Sequence, residues 1–161
     1  MKKLLIAIFL VIMLSGCVSK MVVENGDKVS LEYTGTLEDG TVFDSNIGKD
    51  ALNFTAGAGQ MIAGFDAAVI GMSVGQEKTF TLPPEQAYGA KQEGLVQKIN
   101  QSELKASIGT EPVIGMVLSA SNGMSGTITN ISEGIVSVDF NHELAGKSLT
   151  FTIKILDIQK K

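Results

Sequence analysis

Six aromatic residues, Tyr33, Phe43, Phe54, Phe65, Tyr88 and Phe151, with the carboxylate Asp44 in their midst, are the side chains best suited to form a working site, and the chemistry they permit is non-covalent. The alternatives fail on residue supply. His142 is the only histidine and Cys17 the only cysteine, so neither a multi-histidine metal site nor a Cys/His nucleophile can be assembled. No Gly-x-Ser-x-Gly elbow surrounds a serine, which leaves a triad with His142 without its usual setting. Gly57-x-Gly59 lacks the third glycine of a dinucleotide fingerprint, and no phosphate-binding glycine-lysine loop occurs. No cofactor and no metal are therefore expected. What remains is an apolar, aromatic site, and composition alone allows the same rings to be a plain core instead.

Such rings must be held by a few elements. Phe65, Ala68, Val69 and Met72 recur at i, i+3, i+4 and i+7 and predict a short amphipathic helix within Asn53–Met72. A helix of well under about 12 residues does not persist alone in water, so a sheet is expected to cover its apolar stripe. Val29, Leu31 and Tyr33 alternate with polar residues in one predicted strand, and Leu149, Phe151, Ile153 and Ile155 do so in the longest one. Asp39-Gly40 predicts a hairpin turn, Leu52 and Phe54 a short strand, and Glu77 to Leu82 a strand stopped by Pro83-Pro84. The expected fold class is α+β: a curved antiparallel sheet packed on one short helix.

Between Gly89 and Asn141 the character changes. Val113 to Ala120, Gly126 to Ile131 and Ile135 to Phe140 are rich in β-branched residues, with turn signals at Asn122-Gly123 and Glu133-Gly134. A structureless loop of that length inside a compact domain is improbable, so residues 90–140 are expected to form a small, inserted, all-β-rich domain. Its apolar residues, among them Val113, Ile114, Met116, Val117, Leu118 and Met124, fit either its own core or a surface that takes up varied partners.

The 161 residues carry 44% hydrophobic and 19% charged residues and 18 glycines, the composition of a turn-rich globule. A net charge of -4 without a Lys/Arg cluster argues against nucleic acid as partner. The first residues differ: Lys2 and Lys3, an apolar run from Leu4 to Leu14, then Ser15, Gly16 and Cys17. The run is short of the roughly 20 residues that span a bilayer and reads as a secretion signal over 1–16. Leu14-Ser15-Gly16-Cys17 resembles the lipobox of prokaryotic lipoproteins, which implies lipidation of Cys17, a tether over 17–26, and a place in the cell envelope. That place is the outer side of the cytoplasmic membrane or the outer membrane.

Motif order adds a second resemblance. Tyr33-Thr34-Gly35-x-Leu37-x-Asp39-Gly40-x-x-Phe43-Asp44-Ser45 resembles the opening of FKBP-type peptidyl-prolyl cis/trans isomerases. The likeness continues through Gly64-Phe65-Asp66-x-Ala68-x-x-Gly71-Met72-x-x-Gly75, Pro84-x-x-Ala87-Tyr88-Gly89 and the closing strand. Asn141-His142-x-Leu144-Ala145-Gly146 after an inserted segment is similar to the SlyD-like branch, in which an insert-in-flap domain replaces the flap beside the site. The isomerase domain would then comprise 27–89 and 141–161.

The resemblance implies a prolyl pocket with Tyr33, Asp44 and Tyr88 as catalytic residues and Phe43, Phe54, Met61, Ile62, Phe65 and Phe151 as substrate-binding residues. Phe65 stands where many relatives carry tryptophan, and Met61 where valine is common. The Tyr88 hydroxyl would fix the substrate carbonyl and Asp44 would orient pocket groups. Implied partners are proline-containing unfolded or partly folded polypeptides, bound by a monomer. Catalysis needs no bond making: twisting an X-Pro amide loses resonance and dipole, so a dry apolar pocket disfavours the twisted state less than the planar one. A non-catalytic holdase or binding lipoprotein on the same fold is the alternative.

Overall fold

The computed structural model describes residues 20–120 and 123–161; the signal segment and Cys17 lie outside the described residues. In chain order the elements are β1 Lys28–Thr36, β2 Val42–Ser45, β3 Leu52–Thr55, α1 Ala63–Val69, β4 Glu77–Leu82, β5 Val96–Asn100, α2 Gln101–Ile108, β6 Val117–Ser119, β7 Ser125–Ser132, β8 Ile135–Asp139 and β9 Leu149–Gln159. Single 3-10 turns occupy Pro84–Gln86 and Glu93–Leu95.

The two alternating segments find each other. β1 and β9 pair antiparallel along the whole of β1, setting Leu31 opposite Ile155, Tyr33 opposite Ile153 and Gly35 opposite Phe151. The first sheet runs β2-β1-β9-β4, and β3 shares the outer edge of β1 with β2. A bulge between Ser30 and Leu31 leaves Leu156 as an extra residue on β9, so the inward set shifts from Ile155 to Ile158. The bulge also bends the sheet, which lets it wrap α1.

α1 has seven residues and no side-chain N-cap, so it depends on what it buries. Phe65 and Val69 face the sheet, and Met72 follows them into the core just past the helix. Each such fully buried side chain contributes about 1.5–3 kcal/mol relative to exposure. Asp66 is buried as well, on the flank of the helix. Its carboxylate accepts hydrogen bonds from Gly57 N–H at 2.7 Å and Gly59 N–H at 3.1 Å. Both glycines have positive φ, which turns their N–H groups toward the helix.

Within the segment expected as a lipidated tether over 17–26, Val22 and Val23 pair with the fold. Val22 forms a bridge with Ser73, and Val23 N–H donates to the Met72 carbonyl at 2.7 Å with only 1% of Val23 exposed. At the other end of the chain, Lys160 Nζ donates to the Val22 carbonyl, Glu24 Oε2 and Asp27 Oδ2 at 2.8–2.9 Å. The physical reason is that Val22 and Val23 offer a β-type edge to the loop after α1, which short-range patterns do not reveal.

β5, β8, β7 and β6 form a second antiparallel sheet in that order, with its own core of Leu104, Ile128, Val136 and Val138. α2 packs on it, a helix that the reading of an all-β-rich insert does not include. Asn100 caps α2 through its side-chain oxygen, which accepts from Ser102 N–H at 2.9 Å, and Gly109 ends it at φ 75°. Among the described residues there are thus two α-helices, one for each sheet.

Candidate active site

β1, β2, α1 and β9 bring their aromatic residues to one hollow of about 300 Å³. Its walls are Tyr33, Phe43, Asp44, Leu52, Gln60, Met61, Ile62, Phe65, Tyr88 and Phe151. The volume lies at the small end of the range of about 300–1,000 Å³ usual for ligand clefts.

The floor is Phe65, delivered by the first turn of α1. Its ring meets Phe151 edge-on at 5.2 Å and Tyr33 edge-on at 6.0 Å, the T-shaped arrangement that ring quadrupoles favour. Phe43 stands edge-on to Phe151 at 5.7 Å. It reaches that position by crossing Gly35, where an added Cβ would lie 2.5 Å from the Phe43 ring, so any side chain at residue 35 would displace the wall. Met61 and Ile62 arrive from the loop before α1 and close the apolar side.

One polar pair faces this apolar cup. Tyr33 Oη donates to Asp44 Oδ2 at 2.6 Å, a short charge-assisted bond. Burial of the phenol, then the hydrogen bond to Asp44 and the negative charge of Asp44, push the Tyr33 pKa up to about 12. Tyr33 is therefore a fixed, protonated donor throughout the physiological range. Tyr88 is at the rim, 40% exposed, with its ring stacked on His142.

Eight of the nine residues named from the sequence for this site line the hollow: Tyr33, Phe43, Asp44, Met61, Ile62, Phe65, Tyr88 and Phe151. Phe54 does not. Its ring is 6.1 Å from Phe65, beneath the floor, and only 6% of the residue is exposed, so it backs the cup rather than facing a ligand. The reason is the register of β3 on β1, which sets Phe54 opposite Val29, four residues before the wall residue Tyr33 and toward the other end of the strand.

Other participants were not named from sequence. Leu52 and Gln60 complete the wall, and Phe80 stacks on Phe151 at 5.9 Å from behind. Asn46 acts on the position of Tyr33. β2 leaves β1 at Thr34 and β3 joins at Leu31, and between them Asn46 replaces a strand. Its Oδ1 accepts Tyr33 N–H at 2.7 Å and its Nδ2 donates to the Leu31 carbonyl at 3.0 Å. Ser45 Oγ donates to the Tyr33 carbonyl at 3.0 Å. The Asp44-Ser45-Asn46 run thus holds both the backbone and the hydroxyl of Tyr33.

The comparisons with known proteins agree with this geometry. The family described as FKBP-type peptidyl-prolyl cis-trans isomerase matches residues 19–156. The chain is 42% identical over 151 residues to the short-type peptidyl-prolyl cis-trans isomerase of Methanocaldococcus jannaschii, covering 85% of this chain and 94% of that one. It is 36% identical over 142 residues to the FKBP-type 16 kDa peptidyl-prolyl cis-trans isomerase of Escherichia coli K12, covering 84% and 93%. With the FKBP-type isomerase SlyD of Aeromonas hydrophila it shares 39% identity over 132 residues, covering 81% of this chain and 62% of that one.

The chain belongs to the FKBP-type peptidyl-prolyl cis-trans isomerase family, and its fold is the FKBP fold of that family. It has SlyD-like relatives within it.

Proposed function

We propose that this protein accelerates cis/trans isomerisation of X-Pro bonds in exported, incompletely folded polypeptides, and that Tyr33, Asp44 and Tyr88 serve the reaction in a pocket walled by Phe43, Met61, Ile62, Phe65 and Phe151. The observation that carries this reading is the apolar hollow with one hydrogen-bonded polar pair and no cysteine, serine, threonine, lysine or histidine in its lining. A prolyl ring seated on Phe65 is surrounded by rings and thioether, where the planar, dipolar amide loses solvation and the twisted amide loses less. The uncatalysed barrier of about 18–20 kcal/mol comes from amide resonance, and no chemical group is needed to lower it. The Tyr88 hydroxyl, at the rim, donates to the substrate carbonyl; Tyr33, held by Asp44, offers a second polar edge.

Residues 90–140 act as an insert-in-flap domain with a chaperone role. Support comes from Val113 and Ile114 in the turn before β6 and Val117 at its start, which are exposed, Ile114 by 64%, and offer an apolar surface to unfolded segments. Cys17 is lipidated and holds the protein to the envelope membrane, a reading supported by the Leu14-Ser15-Gly16-Cys17 sequence. Two or more acyl chains hold a protein stably where one does so marginally.

The test combines two measurements. Refolding of a protein limited by proline isomerisation is followed with the wild type and with a Val113→Ser, Ile114→Ser, Val117→Ser variant, beside turnover of a short prolyl peptide. The variant is expected to keep peptide turnover and lose most of the acceleration on the protein; equal activity on both overturns the chaperone role. Fractionation of cells producing Cys17→Ser is expected to release the protein from membranes, and unchanged membrane association overturns the lipid anchor.

A further inference from the structure

Tyr88 stands at the exposed edge of the hollow. It is 40% exposed and follows a single 3-10 turn, and its one aromatic partner among the described residues is His142. The two rings are stacked face to face, with centroids 4.1 Å apart and planes 8° from parallel. His142 is itself well rooted. Its Nδ1 accepts Leu144 N–H at 3.2 Å, its carbonyl accepts Ala145 N–H at 2.9 Å, and Leu144 and Ala145 are buried. The imidazole plane is thus set by a turn anchored in the core, and the phenol lies flat against it.

We propose that His142 is a positioning residue for the isomerase site: its stacked imidazole holds the Tyr88 ring so that the hydroxyl stays at the mouth of the aromatic hollow. This rests on the reading above that the Tyr88 hydroxyl donates to the substrate carbonyl. An exposed tyrosine without the stack would sample several rotamers and would have to be immobilised at each encounter, at a cost in rate. The stack also joins the two chain segments that bound residues 90–140, because Tyr88 precedes them and His142 follows. The same two segments are tied by Gly146 N–H to the Gly89 carbonyl at 2.8 Å and by Gln92 N–H to Asn141 Oδ1 at 2.9 Å. The orientation of Tyr88 is therefore fixed by the base of the second sheet and not by the pocket alone.

Two substitutions separate the ring from the turn. His142→Phe keeps a flat ring and loses the acceptor for Leu144 N–H; His142→Asn keeps a short acceptor and loses the ring. Turnover of a prolyl peptide is measured for both, for Tyr88→Ala, and for Tyr88→Ala with His142→Asn, with thermal melts on each. The expected result is that His142→Asn loses about three- to tenfold in kcat/KM, His142→Phe recovers most of that loss, and His142→Asn adds nothing in the Tyr88→Ala background. Three results overturn the role of His142: a His142→Asn variant as active as wild type, His142→Phe as impaired as His142→Asn, or an equal loss in the Tyr88→Ala background. A folded wild type that does not accelerate relaxation overturns the assignment of the site itself, and is told apart from these by the wild-type trace.

Discussion

The Tyr33 hydroxyl and the Asp44 carboxylate meet at 2.6 Å on the polar side of a cup otherwise made of rings. They come from adjacent antiparallel strands, and the bond exists because the Asp39-Gly40 turn sets Gly35 opposite Asp44 and so brings the two side chains to the same edge. Asp44 thereby keeps Tyr33 protonated and aimed. The pair supplies a fixed dipole to a site otherwise lined mainly by apolar side chains.

A direct consequence concerns titration. In Tyr88→Phe the only tyrosine left is Tyr33, and its ultraviolet absorbance is expected to change with a midpoint near 12. Adding Asp44→Leu is expected to bring the midpoint down without reaching the ordinary tyrosine value, since burial is the largest cause. The sign for stability follows: the folded pKa is raised, so the stability contributed is whole below pH 10 and is lost as pH rises through about 12.

Asn46→Ala is expected to destabilise the fold by about 2–4 kcal/mol, because Tyr33 N–H and the Leu31 carbonyl lose their partners in a dry part of the sheet. Denaturant unfolding measures this. Peptide turnover should fall in the same variant under conditions where it remains folded, since Tyr33 loses its backbone support. A variant of unchanged stability would show that water replaces the amide.

The joint between the sheets carries its own acid signature. Lys91 Nζ lies 2.8 Å from Asp139 Oδ2, and that hydrogen bond, followed by one from Asn141 N–H, holds the Asp139 carboxyl down at about 2. With a depressed folded pKa, its contribution is present above the ordinary aspartate value near 3.8 and is lost as pH falls through about 2. Carboxyl carbon shifts followed by NMR are expected to report that midpoint, and Lys91→Met should raise it.

Much of this was legible in the sequence where the signals are local. The period-2 strands β1 and β9, the Asp39-Gly40 hairpin and the Phe65-Val69-Met72 stripe rest on neighbours a few residues apart, and they carry Tyr33, Phe43, Asp44, Phe65 and Phe151 to one place. What escaped depends on distant partners or weak patterns. Asn46 replaces a strand only because β2 and β3 divide one edge, and Val22-Val23 pair only once α1 presents its following loop. α2 was hidden by its thin apolar face, with Leu104 its one buried residue, although the Asn100 cap and Gly109 stop were there to be read. Phe54 is assigned to the wall by the family resemblance, and its place behind the floor depends on the pairing of β3 with β1, which the sequence does not display.

The most direct measurement is the cis-to-trans relaxation of a short prolyl peptide with the chain from Val18, beside Asp44→Leu and Tyr88→Phe. The wild type is expected to accelerate relaxation well beyond the spontaneous time of tens to hundreds of seconds, and Asp44→Leu to lose at least about tenfold of that effect. A folded wild type that leaves the spontaneous rate unchanged, or an Asp44→Leu variant as fast as wild type, would contradict an aromatic cup that works through one oriented polar pair.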